Sequence, residues 1–256
     1  MDKEKLSRLH DLTGRVAIVT GGTRGIGLAI AEGLSAAGAE VAVASRKADA
    51  CAEVESHLRA RGAHAVGIPT HMGDIAAINA LVDRTVDEFG RLDIVVNNAA
   101  NALTLPFGQL TVEAWDKSLG TNLRGPVFLV ERALPHLEAS GNAAILNVVS
   151  AGAFLFSPTS AMYASAKAGL MAMTRSMASV FAPKGIRVNA LAPGTVDTDM
   201  VRNNPPEVVE SMSNACFMKR AAQPDEMVGP ALLMCSDAGS YLTGQVIIVD
   251  GGLTPH

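Results

Sequence analysis

The sequence predicts an α/β fold in which seven parallel strands form one doubly wound sheet with helices on both faces. Short runs rich in β-branched residues alternate with longer stretches of helical periodicity along most of the 256 residues. Several of these runs are apolar at successive positions, as expected for parallel strands that are covered on both sides.

Strand and helix segments alternate in the order that such a sheet requires. The predicted strands are Val16–Thr20, Val41–Ala44, Ala65–Ile68, Ile94–Asn97, Ala144–Val149, Arg187–Leu191 and Gln245–Val249. The predicted helices lie near residues 25–37, 48–61, 75–89, 112–138, 161–182 and 225–236. Because no repeat and no linker rich in Pro, Gly or Ser divides the chain, residues 1–256 are expected to form a single domain.

Composition narrows the classes of function. The chain is 48% hydrophobic, enough for a sizeable core, and its net charge of −4 argues against a nucleic-acid partner. No run approaches the ~18 apolar residues of a membrane span, and the polar N-terminus lacks the apolar centre of a signal peptide. We therefore expect a cytoplasmic protein. Three dispersed cysteines and six histidines without ligand spacing predict neither disulfides nor a metal site.

A glycine-rich turn joins the first strand to the first helix, where Rossmann folds bind dinucleotides. It reads TGGTRGIG over residues 20–27. Gly21 permits the tight turn, Gly25 lets the backbone approach a pyrophosphate, and Gly27 lets helix and strand pack closely. The N–H groups and dipole of the helix favour the anion. A glycine turn without a ligand is the alternative, but the strand–turn–helix context favours a dinucleotide site on a single-domain Rossmann fold.

The end of the second strand discriminates between cofactors. A carboxylate for the ribose 2′-OH is expected about 20 residues after the glycines in NAD-binding chains. This chain has Ser45-Arg46-Lys47 there instead. Arg46, together with Arg24 of the glycine turn, could neutralise a 2′-phosphate with forked donors. The alternative is that both arginines are solvated surface charges. The pattern favours NADP(H) over NAD(H).

Later motifs complete a pattern that resembles the short-chain dehydrogenase/reductase family in its single-domain form. The resemblance covers Leu12 to Gly252. Its ordered motifs are TGGTRGIG at 20–27, NNAA at 97–100, TNLRG at 121–125, Ser150, YASAK at 163–167 and PG at 193–194. The resemblance implies an oxidoreductase that moves a hydride between a nicotinamide and a carbonyl or secondary alcohol.

Four residues are the candidate catalytic group. Tyr163 and Lys167 are four apart and would share one helix face. A nearby ammonium and an oxidised nicotinamide would lower the tyrosine pKa from about 10 towards the useful range. Ser150 follows the fifth predicted strand, where open α/β sheets bind ligands, and its hydroxyl could hold the substrate oxygen. The resemblance assigns the same roles, and it implies that Asn122 holds a water in a proton relay to Lys167.

The nucleotide turn and the resemblance together predict the cofactor contacts. Those residues are Gly21, Thr23, Arg24, Gly25, Ile26, Gly27, Ser45, Arg46, His71, Met72, Asn97, Ala99, Tyr163, Lys167, Pro193, Gly194, Val196 and Thr198. The resemblance implies that Asn97 lies near the adenosine ribose and that Thr198 reaches the nicotinamide carboxamide. His71-Met72 stands where many relatives carry Asp-Val, so we expect an altered contact with adenine. Ala100 replaces a usual glycine.

Residues 194–220 contain no predicted strand but include several methionines. A connection this long in a compact domain is typical of an active-site lid, and flexible methionines suit an apolar substrate. The alternative is a helical excursion that packs on its own core. We expect a substrate lid at about residues 194–220.

Three functions remain open. The pattern resembles bacterial 3-oxoacyl-acyl-carrier-protein reductases, which favours a 3-oxoacyl thioester or a related aliphatic ketone as substrate. It also resembles NADP-dependent carbonyl and retinal reductases, so a general carbonyl, retinal or hydroxysteroid-type dehydrogenase is the alternative. From a different class, the chain could be a catalytically silent NADPH-binding regulator, which would not need Ser150, Tyr163 and Lys167.

The expected partners are a small carbonyl or alcohol substrate and further copies of the chain. Phe154 and Phe156 predict an apolar wall beyond Ser150, or else a subunit contact. Residues 137–144 contain no Lys or Arg, and Lys184 alone keeps positive charge near the second docking patch, so docking of an acyl carrier protein is not expected. The resemblance implies a homotetramer.

Overall fold

A computed structural model describes residues 2–156 and 159–255. It confirms the doubly wound parallel sheet of seven strands, in the order β3-β2-β1-β4-β5-β6-β7. The strands are β1 Val16–Thr20, β2 Glu40–Ser45, β3 Ala65–Pro69, β4 Ile94–Asn97, β5 Ala143–Val148, β6 Ile186–Pro193 and β7 Val246–Val249. All seven predicted strands are present, with ends that differ by at most two residues.

The described residues contain ten α-helices. They are α1 Lys3–Arg8, α2 Gly25–Ala36, α3 Ala48–Ala60, α4 Ile75–Phe89, α5 Val112–Leu119, α6 Gly125–Ser140, α7 Ala161–Phe181, α8 Asp199–Arg202, α9 Pro206–Asn214 and α10 Val228–Cys235. The predicted helix near 225–236 begins with a 3-10 turn, Pro224–Met227, and continues as α10. Within residues 2–156 and 159–255, no helix is both long and apolar enough to cross a bilayer.

The alternation of side chains along β1 explains why both faces of the sheet are covered. Val19 packs into the layer that contains Ile30 of α2, whereas Ile18 packs into the layer that contains Leu81 of α4 and Leu129 of α6. All five side chains are buried. Truncation of a buried leucine such as Leu81 to alanine costs about 2–5 kcal/mol. The two cores therefore fix the strand ends on which the site depends.

The prediction of one helix near 112–138 is wrong in its middle. Residues Gly120–Arg124 form a π-helical turn between α5 and α6. The close approach of α6 to the carbonyl of Met72 explains the glycine that follows, because a Cβ on Gly125 would lie only 2.0 Å from that oxygen. The wide turn places Asn122 at a fully buried position.

Two short helices, α8 and α9, occupy the segment 194–220 in which no strand was predicted. Its two ends are held together by an isolated parallel bridge between Val196 and Ala222. The amide of Asp197 donates to the Ala222 carbonyl at 2.8 Å, and the amide of Ala222 donates to the Thr195 carbonyl at 2.9 Å. The segment therefore projects from the sheet as a loop with a fixed base.

Candidate active site

The glycine turn between β1 and α2 has the backbone geometry that the sequence predicts. Gly21 and Gly25 have φ values of +66° and +53°, a region that side chains disfavour. A Cβ on Gly27 would lie 2.3 Å from both the Gly21 carbonyl and the Asn98 side-chain nitrogen. The N-cap residue of α2, Arg24, makes no side-chain capping bond. The first amides of α2 thus receive no bond from their N-cap, which suits an anion.

Two residues that the sequence analysis did not select, Thr20 and Asn98, fasten this turn to the end of β4. The Asn98 side chain donates to the carbonyls of Thr20 and Gly21, at 2.9 and 3.2 Å. The Thr20 hydroxyl accepts from the amides of Asn98 and Ala99. Asn98 is the second asparagine of the NNAA motif, and this motif was the sequence signal that could have identified it.

Asn97, predicted near the adenosine ribose, directs its side chain into the core. The side chain is buried and donates to the Asn147 carboxamide at 2.8 Å. Asn147 in turn donates to the Thr174 hydroxyl. Any contact between Asn97 and a ribose is therefore left to its main chain.

The two arginines predicted at a 2′-phosphate have different environments. Arg46 is exposed after β2, and no ion-pair partner lies near it within residues 2–156 and 159–255. Arg24 instead forms an ion pair with Asp199 at 3.1 Å. Ser45, half-buried at the end of β2, has no acidic residue directly after it. The strand end thus keeps the positive charge that the sequence predicts.

His71 and Met72 follow β3. The Nδ1 atom of His71 accepts a hydrogen bond from the Gly73 amide at 3.0 Å, and this bond stabilises the turn formed by residues 71–73. That bond makes Nε2 the ring atom that carries the proton in a neutral histidine, and it leaves this N–H as a donor. The Met72 side chain is buried.

The remaining predicted cofactor residues lie in the glycine turn or at and after the carboxyl ends of β4 and β6. They are Thr23, Ile26, Ala99, Pro193, Gly194, Val196 and Thr198. A Cβ on Gly194 would lie 2.7 Å from the Asp250 Cα, so this glycine allows the end of β6 to meet the chain after β7. The Val196 side chain is buried, and a Cβ on Gly25 would lie 3.0 Å from Thr198 Cγ2. Thr198 therefore lies against the glycine turn.

The structure brings Ser150, Tyr163 and Lys167 together, as predicted. The Lys167 ammonium, 1% exposed, donates to the Val148 carbonyl at 2.7 Å and lies 5.7 Å from the centre of the Tyr163 ring. The Ser150 hydroxyl accepts from the Gly152 amide at 3.0 Å and is hydrogen-bonded to the Tyr163 hydroxyl. A serine, a tyrosine and a lysine thus form a connected group at the end of β5.

Burial governs the protonation of this group, and the predicted lowering of the Tyr163 pKa beside an oxidised nicotinamide stays a prediction. Burial raises the pKa of Tyr163, and the hydrogen bond from Ser150 offsets this only in part. The predicted lowering is therefore not produced by the chain's own residues, because burial opposes the phenolate and the Lys167 ammonium is bonded to a carbonyl. Burial lowers the pKa of Lys167 from 10.5 to about 8, so the ammonium form still dominates at neutral pH.

Asn122 is held by a residue that the sequence analysis missed. Its Oδ1 accepts from the Asn101 amide at 3.0 Å, and its Nδ2 donates to the Asn101 carbonyl at 2.9 Å. The Asn101 side chain also donates to the Lys117 carbonyl at 3.0 Å. These bonds occupy the Asn122 side chain, so the water that the resemblance implies would have to bind the main chain. The π-turn changes the hydrogen bonding of the helix carbonyls there.

Apolar side chains are exposed after Ser150 and in the segment 194–220. Leu155 and Phe156 are exposed after Ser150, and Phe154 packs against a small core cluster. In the segment 194–220 the exposed apolar residues are Met200, Val208, Phe217 and Met218. The exposed side chains after Ser150 fit both the predicted apolar wall and its alternative, a subunit contact, so the wall stays a prediction.

The known proteins that this chain resembles include dehydrogenases and reductases. Residues 21–254 match the family described as Enoyl-(Acyl carrier protein) reductase. The cis-4-hydroxycyclohexanecarboxylate dehydrogenase of Sinomonas cyclohexanicum is 39% identical over 241 residues, covering 94% of this chain and 96% of that protein. Human dehydrogenase/reductase SDR family member 4 is 34% identical over 255 residues, covering 98% and 92%.

One solved structure resembles the chain in both fold and sequence. The gluconate 5-dehydrogenase from Burkholderia cenocepacia, in complex with NADP and tartrate, has a TM-score of 0.92 at 31% identity. The match covers 97% of this chain and 98% of that one. Similarity of this extent, together with the ordered motifs at the end of the sheet, shows that the chain belongs to the short-chain dehydrogenase/reductase family.

Proposed function

We propose that the chain is an NADP(H)-dependent oxidoreductase that transfers a hydride between the nicotinamide and a carbonyl or secondary alcohol. The observation that carries the proposal is the connected group of Ser150, Tyr163 and Lys167 beside a glycine turn of dinucleotide geometry. A nucleotide-binding regulator would need the turn but not a buried lysine beneath a tyrosine.

The residues present fit NADP(H). The glycine turn leaves no room for a Cβ at Gly27, and the uncapped start of α2 suits the pyrophosphate. Arg46 and Arg24 would hold the 2′-phosphate, and no carboxylate follows β2 to repel it. When bound, the reduced cofactor supplies the hydride. The solved relative that carries NADP supports the same choice.

The proton chemistry belongs to this chain's residues. The Ser150 hydroxyl is fixed by the Gly152 amide and can donate a hydrogen bond to the substrate oxygen. Tyr163, kept protonated by burial, can donate its proton to that oxygen as it becomes an alkoxide. Lys167 supplies positive charge beneath the ring, and the family resemblance implies that a water held at Asn122 replaces the proton.

We propose a 3-oxoacyl thioester or a related aliphatic ketone as the substrate. Leu155 and Phe156, exposed after Ser150, support an aliphatic substrate, and we propose that residues 194–220, which expose Met200, close over it. Lys184 forms an ion pair with Glu138 at 2.6 Å, which neutralises the one cation expected to meet an acidic carrier protein. We therefore do not assign carrier-protein docking.

A cyclic secondary alcohol is the second candidate. It is favoured by the 39% identity with a dehydrogenase whose name specifies a hydroxycyclohexanecarboxylate. Cyclic and linear ketones differ in shape but need the same proton chemistry. A side-by-side assay therefore separates the two candidates without touching the mechanism.

We also propose that the chain forms a homotetramer in the cytoplasm. Trp115 of α5, Phe128 of α6 and Val180 of α7 are large apolar side chains exposed on helices, which supports a subunit contact there. Light scattering of the purified protein would give the mass of the assembly. A monomer at micromolar concentration would contradict the proposal.

The test combines binding and turnover. Fluorescence titration with NADPH and NADH gives the two dissociation constants, and NADPH oxidation is followed with acetoacetyl thioesters and with linear and cyclic ketones. Tyr163→Phe should abolish turnover while keeping NADPH affinity. Tyr241→Phe is the matched control, because Tyr241 is fully exposed, and it should retain both.

Each outcome has a clear meaning. Turnover that survives in Tyr163→Phe would refute the role given to the tyrosine. Tight NADPH binding without turnover on any carbonyl would favour the regulator. Preference for NADH would show that Arg24 and Arg46 do not bind a 2′-phosphate.

A further inference from the structure

The guanidinium of Arg24 is already bound within the chain. Its Nη1 lies 3.1 Å from Oδ2 of Asp199, the first residue of α8. The pair connects the glycine turn to the segment 194–220 across 175 residues of sequence. Asp199 therefore occupies the same arginine that the proposed function gives to the 2′-phosphate.

Of the two neighbouring carboxylates, Asp197 and Asp199, it is Asp199 that pairs with Arg24. The adjacent acidic residue, Asp197, is bound by Arg202 through two contacts of 2.7 and 3.0 Å. Arg202 reaches Asp199 only at 4.0 Å, so Arg24 is the closer cation to that carboxylate. Thr198, between the two acids, lies against Gly25. The backbone thus holds Asp199 beside the nucleotide turn.

A carboxylate in this position opposes a bound phosphate in two ways. If Arg24 turns to the 2′-phosphate, its ion pair with Asp199 must break. If Arg24 bridges both anions with its five donors, the carboxylate and the phosphate repel each other at short range. Both effects weaken the binding of NADP(H), and neither acts on NAD(H), which lacks the phosphate.

We propose that Asp199 is a specificity-determining residue whose carboxylate competes with the 2′-phosphate of NADP(H) for Arg24. The inference rests on the proposed function, because it takes Arg24 as a ligand of that phosphate. Asp199 limits the preference for NADP(H) over NAD(H), although it belongs to the segment expected to cover the substrate.

The expected effect is modest because both partners are in contact with solvent. The Arg24 and Asp199 side chains are 70% and 49% exposed. Exposed ion pairs of this kind change an equilibrium by about two- to five-fold. Asp199→Asn should therefore tighten NADPH binding by about two- to five-fold and leave NADH binding unchanged.

Fluorescence titration of the purified protein with NADPH and with NADH tests this at two salt concentrations. Asp197→Asn is the matched control, because it removes an equal charge two residues away from a carboxylate bound by Arg202. It should leave both affinities unchanged. The gain in Asp199→Asn should shrink at high salt, since screening weakens exposed charges. Thermal unfolding of each variant checks that it is folded.

An unchanged or weaker NADPH affinity in Asp199→Asn would overturn the inference, as would an equal gain in Asp197→Asn. The double variant Arg24→Gln/Asp199→Asn should show no gain over Arg24→Gln. If Arg24→Gln loses the NADPH preference but Asp199→Asn has no effect, only the competition fails. If the NADPH preference survives in Arg24→Gln, the assignment of Arg24 to the 2′-phosphate fails as well.

Discussion

Replacement of Lys167 by methionine should stabilise the fold while it abolishes turnover. The ammonium is 1% exposed, and burial lowers its pKa from 10.5 to about 8. Methionine is unbranched and apolar, so it can fill the same space without a charge to desolvate. On the proposed mechanism, the lysine serves the proton chemistry at a cost in stability.

The size of the effect follows from that pKa. A difference of one pKa unit corresponds to about 1.4 kcal/mol, so the buried ammonium costs the native state about 3 kcal/mol near pH 7. Methionine would leave the Val148 carbonyl without its donor, a loss of about 1–3 kcal/mol. The free energy of unfolding should therefore rise by up to about 2 kcal/mol at pH 7.

The pH dependence has a definite sign. The native-state pKa lies below the unfolded value, so the cost is fully present below about pH 8 and is relieved as the pH rises towards 10.5. Between pH 7 and about 9.5 the wild-type protein should gain about 2 kcal/mol relative to Lys167→Met. Urea unfolding of both proteins at both pH values measures this difference, in which other titrating groups cancel.

A wild-type-to-variant difference that is the same at both pH values would refute the reasoning. It would mean that Lys167 keeps its ordinary proton affinity in the folded chain, despite its burial. Loss of NADPH affinity along with turnover would instead identify Lys167 as a main binding contact. The two readouts are independent, since unfolding is measured without cofactor.

Two further predictions concern stability and cofactor binding. Glu40 and Glu88 bind the half-exposed His64 and raise its pKa, so this stabilisation is complete below the ordinary histidine pKa near 6.5 and is lost as the pH rises through the native value. His64→Gln should thus cost up to about 1 kcal/mol at pH 5.5 and less at pH 8.5, in urea unfolding; an equal cost at both would contradict it. Gly27→Ala, whose Cβ would meet atoms at 2.3 Å, should weaken NADPH binding at least ten-fold in fluorescence titration. Gly229→Ala, with nothing within 4 Å, should leave binding unchanged and add about 0.5–1 kcal/mol of stability.

Most of the fold could be predicted because its signals are local. Runs such as Val16–Thr20 and Ile94–Asn97 are apolar at successive positions, and turns with glycine or charged residues bound them, so the strands could be read directly. The π-turn at Gly120–Arg124 could not be read in this way. The glycine that follows this turn is required by the carbonyl of Met72, which approaches Gly125 from a distant part of the chain.

The candidate site likewise combines features with a local signal in the sequence and contacts that depend on the fold. The spacing of Tyr163 and Lys167 predicted their contact because four residues span one helical turn. The contacts of Asn101 with Asn122 and of Arg24 with Asp199 join segments far apart in sequence, and neither member of a pair indicates its partner. The spacing therefore predicted that Tyr163 and Lys167 share a helix face, whereas the bonds around the proposed catalytic group required the fold.

The two catalytic pKa values together indicate which direction the chain itself favours. Burial raises the pKa of Tyr163 and lowers that of Lys167, so the two proton affinities move apart and the phenol stays protonated at neutral pH. A protonated phenol is the form that reduces a carbonyl, because it can donate to the new alkoxide. Oxidation of an alcohol needs the phenolate, which nothing in Ser150 or Lys167 alone supplies. Reduction should therefore be the easier reaction near pH 7, and oxidation should gain as the pH rises.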